Sequence, residues 1–179
     1  QTYIIRSDIN PVEALKTGDD ISVCGDCKHR PINGGACYVH VGQGVNAVYK
    51  AFKRGNYPQA SIIESLGVDR MVRLGTYGDP YAVPVSIWES LTKLAKGRTG
   101  YTHQWRSAGT EWSRLVMASA DSLADMLEAH KRGFRTFRVT AKPFENVAGV
   151  EAVCPASKEK GARTNCATCR ACMGTASKA

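Results

Sequence analysis

MVRLGTYGDP, residues 71–80, combines a short strand pattern with a glycine-rich turn. The strand is predicted at Met71–Leu74, and the turn stops it. A helix is predicted next, because Pro84 suits a first helical turn and Gly97 suits the residue that follows the last turn. Between them, three apolar residues recur at the spacing of one helix face: Ile87, Leu91 and Leu94. This segment therefore predicts a strand, a loop and a helix in succession.

The same unit recurs along the chain. Strand patterns lie at residues 100–105, 115–118 and 135–140. The second is followed by a helix pattern that Gly133 ends, with residues on one face at Leu123, Met126, Leu127 and His130. Upstream, residues 21–23 are predicted as the first strand, and residues 45–52 as a helix that stops at Gly55. Alternating strands and helices predict an α/β domain with a mostly parallel sheet.

Every predicted loop in this scheme follows the carboxyl end of a strand. Because parallel strands end at one edge of the sheet, where such folds bind ligands, we expect the loops to meet there. Glycine lets the backbone approach a ligand, and a carboxylate accepts hydrogen bonds from an amino group. The predicted cofactor-binding residues are Gly75, Gly78, Asp79, His103 and Asp121. A small-molecule pocket is expected between them and residues 24–37.

Each of these residues also has a simpler interpretation. Asp79 can close a turn with Pro80, Asp121 can cap the helix that follows it, and His103 can be a packed histidine. Tyr77 can fill the space between the two glycines. The three tryptophans are predicted to pack in the core: Trp88, Trp105 and Trp112.

Composition predicts one compact domain without a membrane segment. The chain has 179 residues, of which 43% are hydrophobic and 22% charged. No apolar run approaches the roughly 18 residues of a spanning helix, and the first residues lack a secretory pattern. We therefore expect a cytoplasmic protein.

The seven cysteines form two groups. The first contains Cys24, Cys27 and Cys37, and the second contains Cys154, Cys166, Cys169 and Cys172. A disulfide framework usually requires a small secreted chain with an even number of cysteines. Clustering of this kind instead predicts metal ligation by all seven.

The second group has the spacing of an iron–sulfur site. Its Cys-x2-Cys-x2-Cys run places three thiolates within seven residues, and the remote Cys154 precedes Pro155 as remote ferredoxin ligands do. A [4Fe-4S] cluster is the first interpretation, and zinc is the alternative because Cys-x2-Cys pairs also bind zinc. For the first group the two metals are nearly balanced, since His29 or His40 can complete a zinc site. One cluster or two are both compatible with this pattern.

The segment after Cys154 is basic. The formal net charge of the chain is +8. Against the single acid Glu159, this segment carries Lys158, Lys160, Arg163, Arg170 and Lys178. It either neutralises nucleic-acid phosphates or compensates the negative charge of a neighbouring cluster. Residues 1–153 are thus predicted as the α/β domain and residues 154–179 as a metal-binding segment packed on it.

The order of these loops resembles a radical S-adenosylmethionine enzyme with a shortened, partial TIM-barrel-like fold. Residues 75–80 are similar to the Gly-Gly-Glu-Pro loop of that superfamily, which binds the amino group of S-adenosylmethionine. Cys24, Cys27 and Cys37 match its three cluster cysteines, although their Cys-x2-Cys-x9-Cys spacing departs from Cys-x3-Cys-x2-Cys. The chain also resembles a phage-encoded family of cysteine-rich proteins, which implies the cytoplasm of the host cell.

Two classes of function follow. In the first, the protein is a minimal or degenerate enzyme whose three-cysteine cluster binds S-adenosylmethionine beside a small-molecule substrate. In the second, it is a noncatalytic iron–sulfur or zinc module that binds nucleic acid or a protein through its basic segment. A cluster with three protein ligands leaves an iron open to a cofactor, whereas a cluster with four does not.

Overall fold

A computed structural model describes residues 1–140, 142 and 144–176. Its centre is a four-stranded sheet in which every neighbouring pair is parallel. The strands follow one another in chain order: β1 Met71–Leu74, β2 Gly97–Thr102, β3 Met117–Ala120 and β4 Thr136–Arg138. The predicted α/β class with a parallel sheet is therefore confirmed. A barrel-like arrangement stays a prediction.

Short helices surround the sheet. The α-helices are α1 Pro11–Thr17, α2 Ile21–Cys24, α3 Asn46–Lys53, α4 Ile63–Gly67, α5 Val85–Thr92, α6 Leu123–Lys131 and α7 Cys166–Cys169. A π-helical turn, Val41–Val45, runs directly into α3. The 3-10 turns are Pro31–Asn33, Pro80–Ala82, Thr110–Arg114 and Gly174–Ala176. Among the described residues, no helix has both the length and the apolar character needed to cross a membrane.

The register of the strands gives the sheet two different faces. One face belongs to the main core, where Leu74, Val116 and Ala118 pack with Trp88 of α5 and Ala129 of α6. On the other face, the register aligns Arg73 with Thr99, Tyr101 with Met117, and Ser119 with Phe137. The rings of Tyr101 and Phe137 lie 5.0 Å apart on this second face.

The prediction of a first strand at residues 21–23 is wrong. These residues begin α2, in which the Cys24 amide donates to the Asp20 carbonyl at 2.8 Å. A short apolar run does not by itself distinguish a strand from a helical turn. The chain before α1 lies beside β1 instead, because Tyr3 forms a parallel bridge with Tyr77. The Ile4 amide donates to the Tyr77 carbonyl at 2.9 Å.

Gly97 does not end a helix as predicted. Helix α5 stops at Thr92, and Gly97 begins β2. A side chain at Gly97 would meet the Met71 sulfur at 2.9 Å, so close pairing of β1 with β2 explains the glycine. The predicted start of β2, residue 100, lies three residues after the observed start. The predicted start of β3, residue 115, lies two residues before the observed start. The predicted stop at Gly133 is confirmed, since its φ is 82°.

The three tryptophans are buried as predicted. Trp88, Trp105 and Trp112 are each at most 4% exposed. Two of them satisfy their indole N–H within the core: Trp88 donates to the Pro80 carbonyl at 2.8 Å and Trp105 to the Ser119 carbonyl at 3.1 Å. The first bond therefore joins α5 to the loop after β1, and the second joins the loop after β2 to β3.

Candidate functional site

A buried ion pair shapes the first cysteine loop. Arg30 donates to both carboxylate oxygens of Asp20, at 2.9 Å from Nε and 2.6 Å from Nη2. The same guanidinium donates to the Gly18 carbonyl at 2.7 Å. Asp20 is 1% exposed and Arg30 is 7% exposed. The pair therefore joins the start of α2, the helix that ends at Cys24, to the loop segment between Cys27 and Cys37.

Backbone contacts fold this loop back on itself. The Cys37 amide donates to the His29 carbonyl at 3.0 Å, and the Arg30 amide donates to the Cys27 carbonyl at 3.2 Å. A Cβ atom on Gly35 would lie 2.3 Å from the His29 carbonyl carbon, a distance that real contacts do not reach. Glycine at position 35 is thus required for the loop to bring Cys37 beside His29.

The structure brings the loop after β1 against the first cysteine loop. The Asp79 amide donates to the Val23 carbonyl at 2.7 Å, one residue before Cys24. A Cβ atom on Gly78 would lie 2.7 Å from the Ile4 side chain and 3.2 Å from the Val23 carbonyl oxygen. One on Gly75 would lie 2.6 Å from the Gly78 carbonyl. Both glycines therefore serve close packing of protein against protein, and their predicted contact with a cofactor stays a prediction.

Asp79 is a buried carboxylate at the centre of this edge. Its Oδ1 accepts from the Tyr81 amide at 2.9 Å and from the Thr102 hydroxyl at 2.7 Å. Its Oδ2 accepts from the His103 amide at 2.7 Å. Burial raises the pKa of Asp79, and the hydrogen bonds from Thr102 and the two amides oppose that rise. Asp79 thus both closes the turn at Pro80 and positions His103.

Tyr77 is buried in the loop after β1. It is 4% exposed, and its hydroxyl has no hydrogen-bond partner among the described residues. Burial raises the pKa of Tyr77, and the neighbouring thiol of Cys24, the Asp20 carboxylate and Cys37 raise it further. The ring therefore lies beside the first cysteine loop, and its filling of the space between the glycines stays a prediction.

His103 and Asp121 meet at the next two strand ends, and His29 joins them from the cysteine loop. His29 Nε2 lies 2.7 Å from Asp121 Oδ1, and the His29 and His103 ring centroids are 5.5 Å apart. One ligand atom from each of the three residues lies within 4.8 Å of the others. Lys28 Nζ is 3.3 Å from Asp121 Oδ2. Asp121 does not cap α6, because Ser122 accepts from the Asp125 amide in that role.

Burial raises the pKa values of Cys24 and Cys27 in the first group, so these two thiols are protonated at neutral pH in the absence of a metal. Burial raises the pKa of Cys24 to about 12, with the charges of Asp20, Cys27 and Cys37 adding to the rise. Burial likewise raises the pKa of Cys27, whose neighbours include Asp79, Cys37 and Asp121. Because metal ligands are thiolates, metal uptake here must release protons.

The second cysteine group surrounds a single helical turn. The Asn165 side chain caps α7 by accepting from the Thr168 amide at 3.0 Å. This turn holds Cys166 and Cys169 three residues apart, on one side of the helix. Arg170 then adopts the left-handed conformation with φ 56°, which reverses the chain ahead of Cys172.

This group lies on the second face of the sheet. Cys154, Cys166, Cys169 and Cys172 all line a cleft of about 880 Å³, together with Tyr101 and Phe137. The Tyr101 hydroxyl donates a hydrogen bond to the Cys172 sulfur. Burial raises the pKa of Cys172, the hydrogen bond from Tyr101 lowers it, and the charges of the other three cysteines raise it. The four thiols therefore share one site.

The end of the described chain is packed on the same domain. A Cβ atom on Gly174 would lie 2.3 Å from the Ser113 carbonyl oxygen, and the Gly174 carbonyl accepts from Arg135 at 3.4 Å. The basic side chains of Lys158, Lys160 and Arg163 are exposed. Lys178 lies outside the described residues. The end of the segment that follows Cys172 is thus attached to the α/β domain.

The separations within the two cysteine groups differ from those of a single-ion site. Zinc with Zn–S bonds of about 2.3 Å holds tetrahedral sulfur ligands about 3.8 Å apart. We compared this separation with the potential metal-ligand atoms of His, Cys, Asp and Glu. In the part of the chain that the structure describes, one group of three has its ligand atoms within 4.8 Å of one another, and it consists of His29, His103 and Asp121. No three of the cysteine sulfurs meet that limit.

The fold and these sites define a cysteine-rich α/β protein with a parallel sheet and two candidate metal centres, one at its edge and one on its face. No protein-family model, curated protein or solved structure matches this chain. The resemblance to radical S-adenosylmethionine enzymes and to phage-encoded proteins therefore stays a prediction.

Four residues of these sites were not predicted in the roles they have. Tyr101 was seen only as part of a strand, and the Asp20–Arg30 pair has no local sequence signal. His29 was predicted only as a zinc ligand beside the cysteines, whereas its partner is Asp121. Its position between Cys27 and Cys37 was the available signal.

Proposed function

We propose that this protein is an iron–sulfur protein that holds a [4Fe-4S] cluster on Cys154, Cys166, Cys169 and Cys172. The observation that carries the proposal is the convergence of these four thiols on one cleft of the sheet face. A cubane cluster has four irons that each need one thiolate, so the number of ligands agrees.

The spacing of the sulfurs supports a cluster over zinc. Each thiolate of a cubane binds a different corner, so its sulfurs stand farther apart than around one ion. Among the described cysteines, no three sulfurs are as close as 4.8 Å, which exceeds the separation in a zinc site. Zinc binding would require the segment around α7 to contract.

The hydrogen bond from Tyr101 provides a specific test. Hydrogen bonds to cluster sulfurs raise the reduction potential, because they stabilise the additional negative charge of the reduced state. Tyr101→Phe should therefore keep the iron content and shift the potential to a more negative value. Phe137→Leu is the matched control, since Phe137 lines the same cleft without a polar group.

The experiment begins with anaerobic purification under iron-replete conditions. The protein should absorb broadly near about 400 nm and contain iron with acid-labile sulfide. Cys169→Ser should lose that iron, while Cys37→Ser should keep the part held by the second group. Stoichiometric zinc without sulfide in the unmodified chain would refute the proposal.

A second candidate function is binding of S-adenosylmethionine at the sheet edge. The observation that favours it is the contact between the first cysteine loop and the loop after β1, through the Asp79 amide and the Val23 carbonyl. A cluster on Cys24, Cys27 and Cys37 would leave one iron without a protein ligand. That iron is where the amino acid part of the cofactor binds in the enzymes this chain resembles.

Electron paramagnetic resonance tests this candidate. Addition of S-adenosylmethionine to the reduced, cluster-loaded protein should change the cluster signal, since a new ligand on iron alters its electronic structure. The change should persist in Cys169→Ser and disappear in Cys37→Ser. An unchanged signal in the unmodified protein would leave the noncatalytic module as the function.

The noncatalytic module would bind nucleic acid through the exposed Lys158, Lys160 and Arg163. Such binding should weaken steeply with salt, because cations on the protein displace counterions from phosphates. A charge-neutral triple variant, with glutamine at all three positions, should abolish binding to a DNA duplex. Equal retention of the duplex by that variant would exclude this role.

A further inference from the structure

Three strand-end and loop residues form a group that the cysteine sites do not use. His103 follows β2, Asp121 follows β3, and His29 comes from the first cysteine loop. Their ligand atoms lie within 4.8 Å of one another, and His29 Nε2 is 2.7 Å from Asp121 Oδ1. Two imidazoles and one carboxylate are therefore gathered from segments far apart in the chain.

Neighbouring groups hold each of these residues in place. The His103 amide donates to the buried Asp79 carboxylate at 2.7 Å. The Asp121 amide donates to Asp125 Oδ2 at 3.1 Å, and the His29 carbonyl accepts from Cys37 at 3.0 Å. Fixed supports of this kind orient metal ligands before the metal arrives.

The charges around the group suit a cation. Burial lowers the pKa of His103, while the charges of Asp121 and Asp79 oppose that decrease. The Asp121 side chain is only 13% exposed, and its cationic neighbour is the exposed Lys28 at 3.3 Å. A divalent ion would take the position beside Asp121 that His29 and Lys28 share in its absence.

We infer that His29, His103 and Asp121 bind a divalent first-row transition-metal ion at the carboxyl edge of the sheet. Two histidines and one carboxylate are a recurrent ligand set for such ions, and they leave coordination positions open for water or a substrate. Bonds of about 2.1 Å place neighbouring ligand atoms about 3.0–3.4 Å apart, so small side-chain rotations close the group around an ion.

This site is separate from the proposed iron–sulfur cluster. It uses no cysteine of the second group, and it does not depend on the proposed function. It lies at the same edge of the sheet as the first cysteine loop, where burial raises the pKa of Cys27 and the charge of Asp121 adds to that rise. This edge of the sheet would then hold two metal sites: an ion on the two histidines and Asp121, which can polarise an oxygen ligand, and a metal centre on the thiols of the first cysteine loop.

The test is an anaerobic titration of the full chain, with its cluster loaded, by Co²⁺. Calorimetry measures the affinity, and visible d–d absorption reports the ligands. His103→Ala and Asp121→Asn should each weaken binding by more than about tenfold. His130→Ala is the matched control and should leave the affinity unchanged, because His130 is exposed, hydrogen-bonds to Thr136 and is not one of the three ligands.

A further variant keeps the test independent of folding defects. Lys28 is 61% exposed, so Lys28→Met should leave the fold intact and strengthen Co²⁺ binding several-fold by removing the competing cation. Weaker or unchanged binding in Lys28→Met would contradict the inference. Affinity that is lost in Cys24→Ser but kept in His103→Ala would overturn it, because the cysteines would then hold the ion. In either case the iron of the second cysteine group reports separately on the proposed function.

Discussion

The buried Asp20–Arg30 pair gives a quantitative prediction for Arg30→Met. Asp20 is 1% exposed and has both carboxylate oxygens bound by Arg30, so the variant leaves an unpaired charge in the core. Loss of one partner of a buried pair costs about 3–5 kcal/mol. For a chain of this length, each kcal/mol lowers the melting temperature by about 2–4 °C, which gives a decrease of about 6–20 °C.

The matched control is Arg6→Met. Arg6 also donates from two nitrogens to one carboxylate, that of Asp8, but the Asp8 side chain is 63% exposed. Solvent screens such a pair, and its loss should leave the melting temperature unchanged. Differential scanning calorimetry of both variants compares the same chemistry at two depths of burial.

A double variant separates the charge from the packing. In Asp20→Asn with Arg30→Met no buried charge remains, so the double variant should be more stable than Arg30→Met alone. The reasoning is refuted if Arg30→Met melts no lower than Arg6→Met, or if the two single effects simply add. Since the pair joins α2 to the loop that carries Cys37, Arg30→Met should also reduce metal binding by the first cysteine group.

Three further predictions concern the same loop. Gly35→Ala should lower both the melting temperature and the Co²⁺ affinity, because its Cβ would clash with the His29 backbone at 2.3 Å. Gly42→Ala is the control and should change neither quantity, since nothing lies within 4 Å of a Cβ atom at that position. In the metal-free protein, the raised pKa of Cys24, about 12, leaves roughly one thiolate in a thousand at pH 9, so iodoacetamide should modify the buried Cys24 much more slowly than the exposed Cys37. The apo protein should also lose stability as the pH rises from about 9 to about 12, because the unfolded chain ionises this thiol first. Equal labelling of the two cysteines by mass spectrometry would contradict the burial of Cys24.

Local sequence was sufficient for the repeating units of the sheet. Met71–Leu74 was predicted with its observed bounds, and Leu123–Lys131 was predicted as a helix that Gly133 ends. Both depend on contacts between residues near in sequence: a glycine-rich turn stops the strand, and a left-handed glycine stops the helix. The grouping of the cysteines was visible for the same reason, since a metal loop is defined by short spacings.

Tertiary structure alone decided how these units meet. The run at residues 21–23 was apolar enough for a strand, but it forms a helical turn directly after Asp20, whose carboxylate is paired with Arg30 in the core. The chain around Tyr3 lies next to β1 in the position predicted for that strand, and Tyr3 pairs with Tyr77.

The candidate edge site depends on tertiary structure most of all. His29 and Asp121 are 92 residues apart in sequence and 2.7 Å apart in space, and no local pattern relates them. Likewise, Asp79 was recognised as a polar residue at a strand end, but its three hydrogen-bond donors come partly from the next strand, at Thr102 and His103. Residue types and short spacings follow from the chain itself, whereas the pairing of distant side chains follows only from the order in which parallel strands place their carboxyl ends side by side.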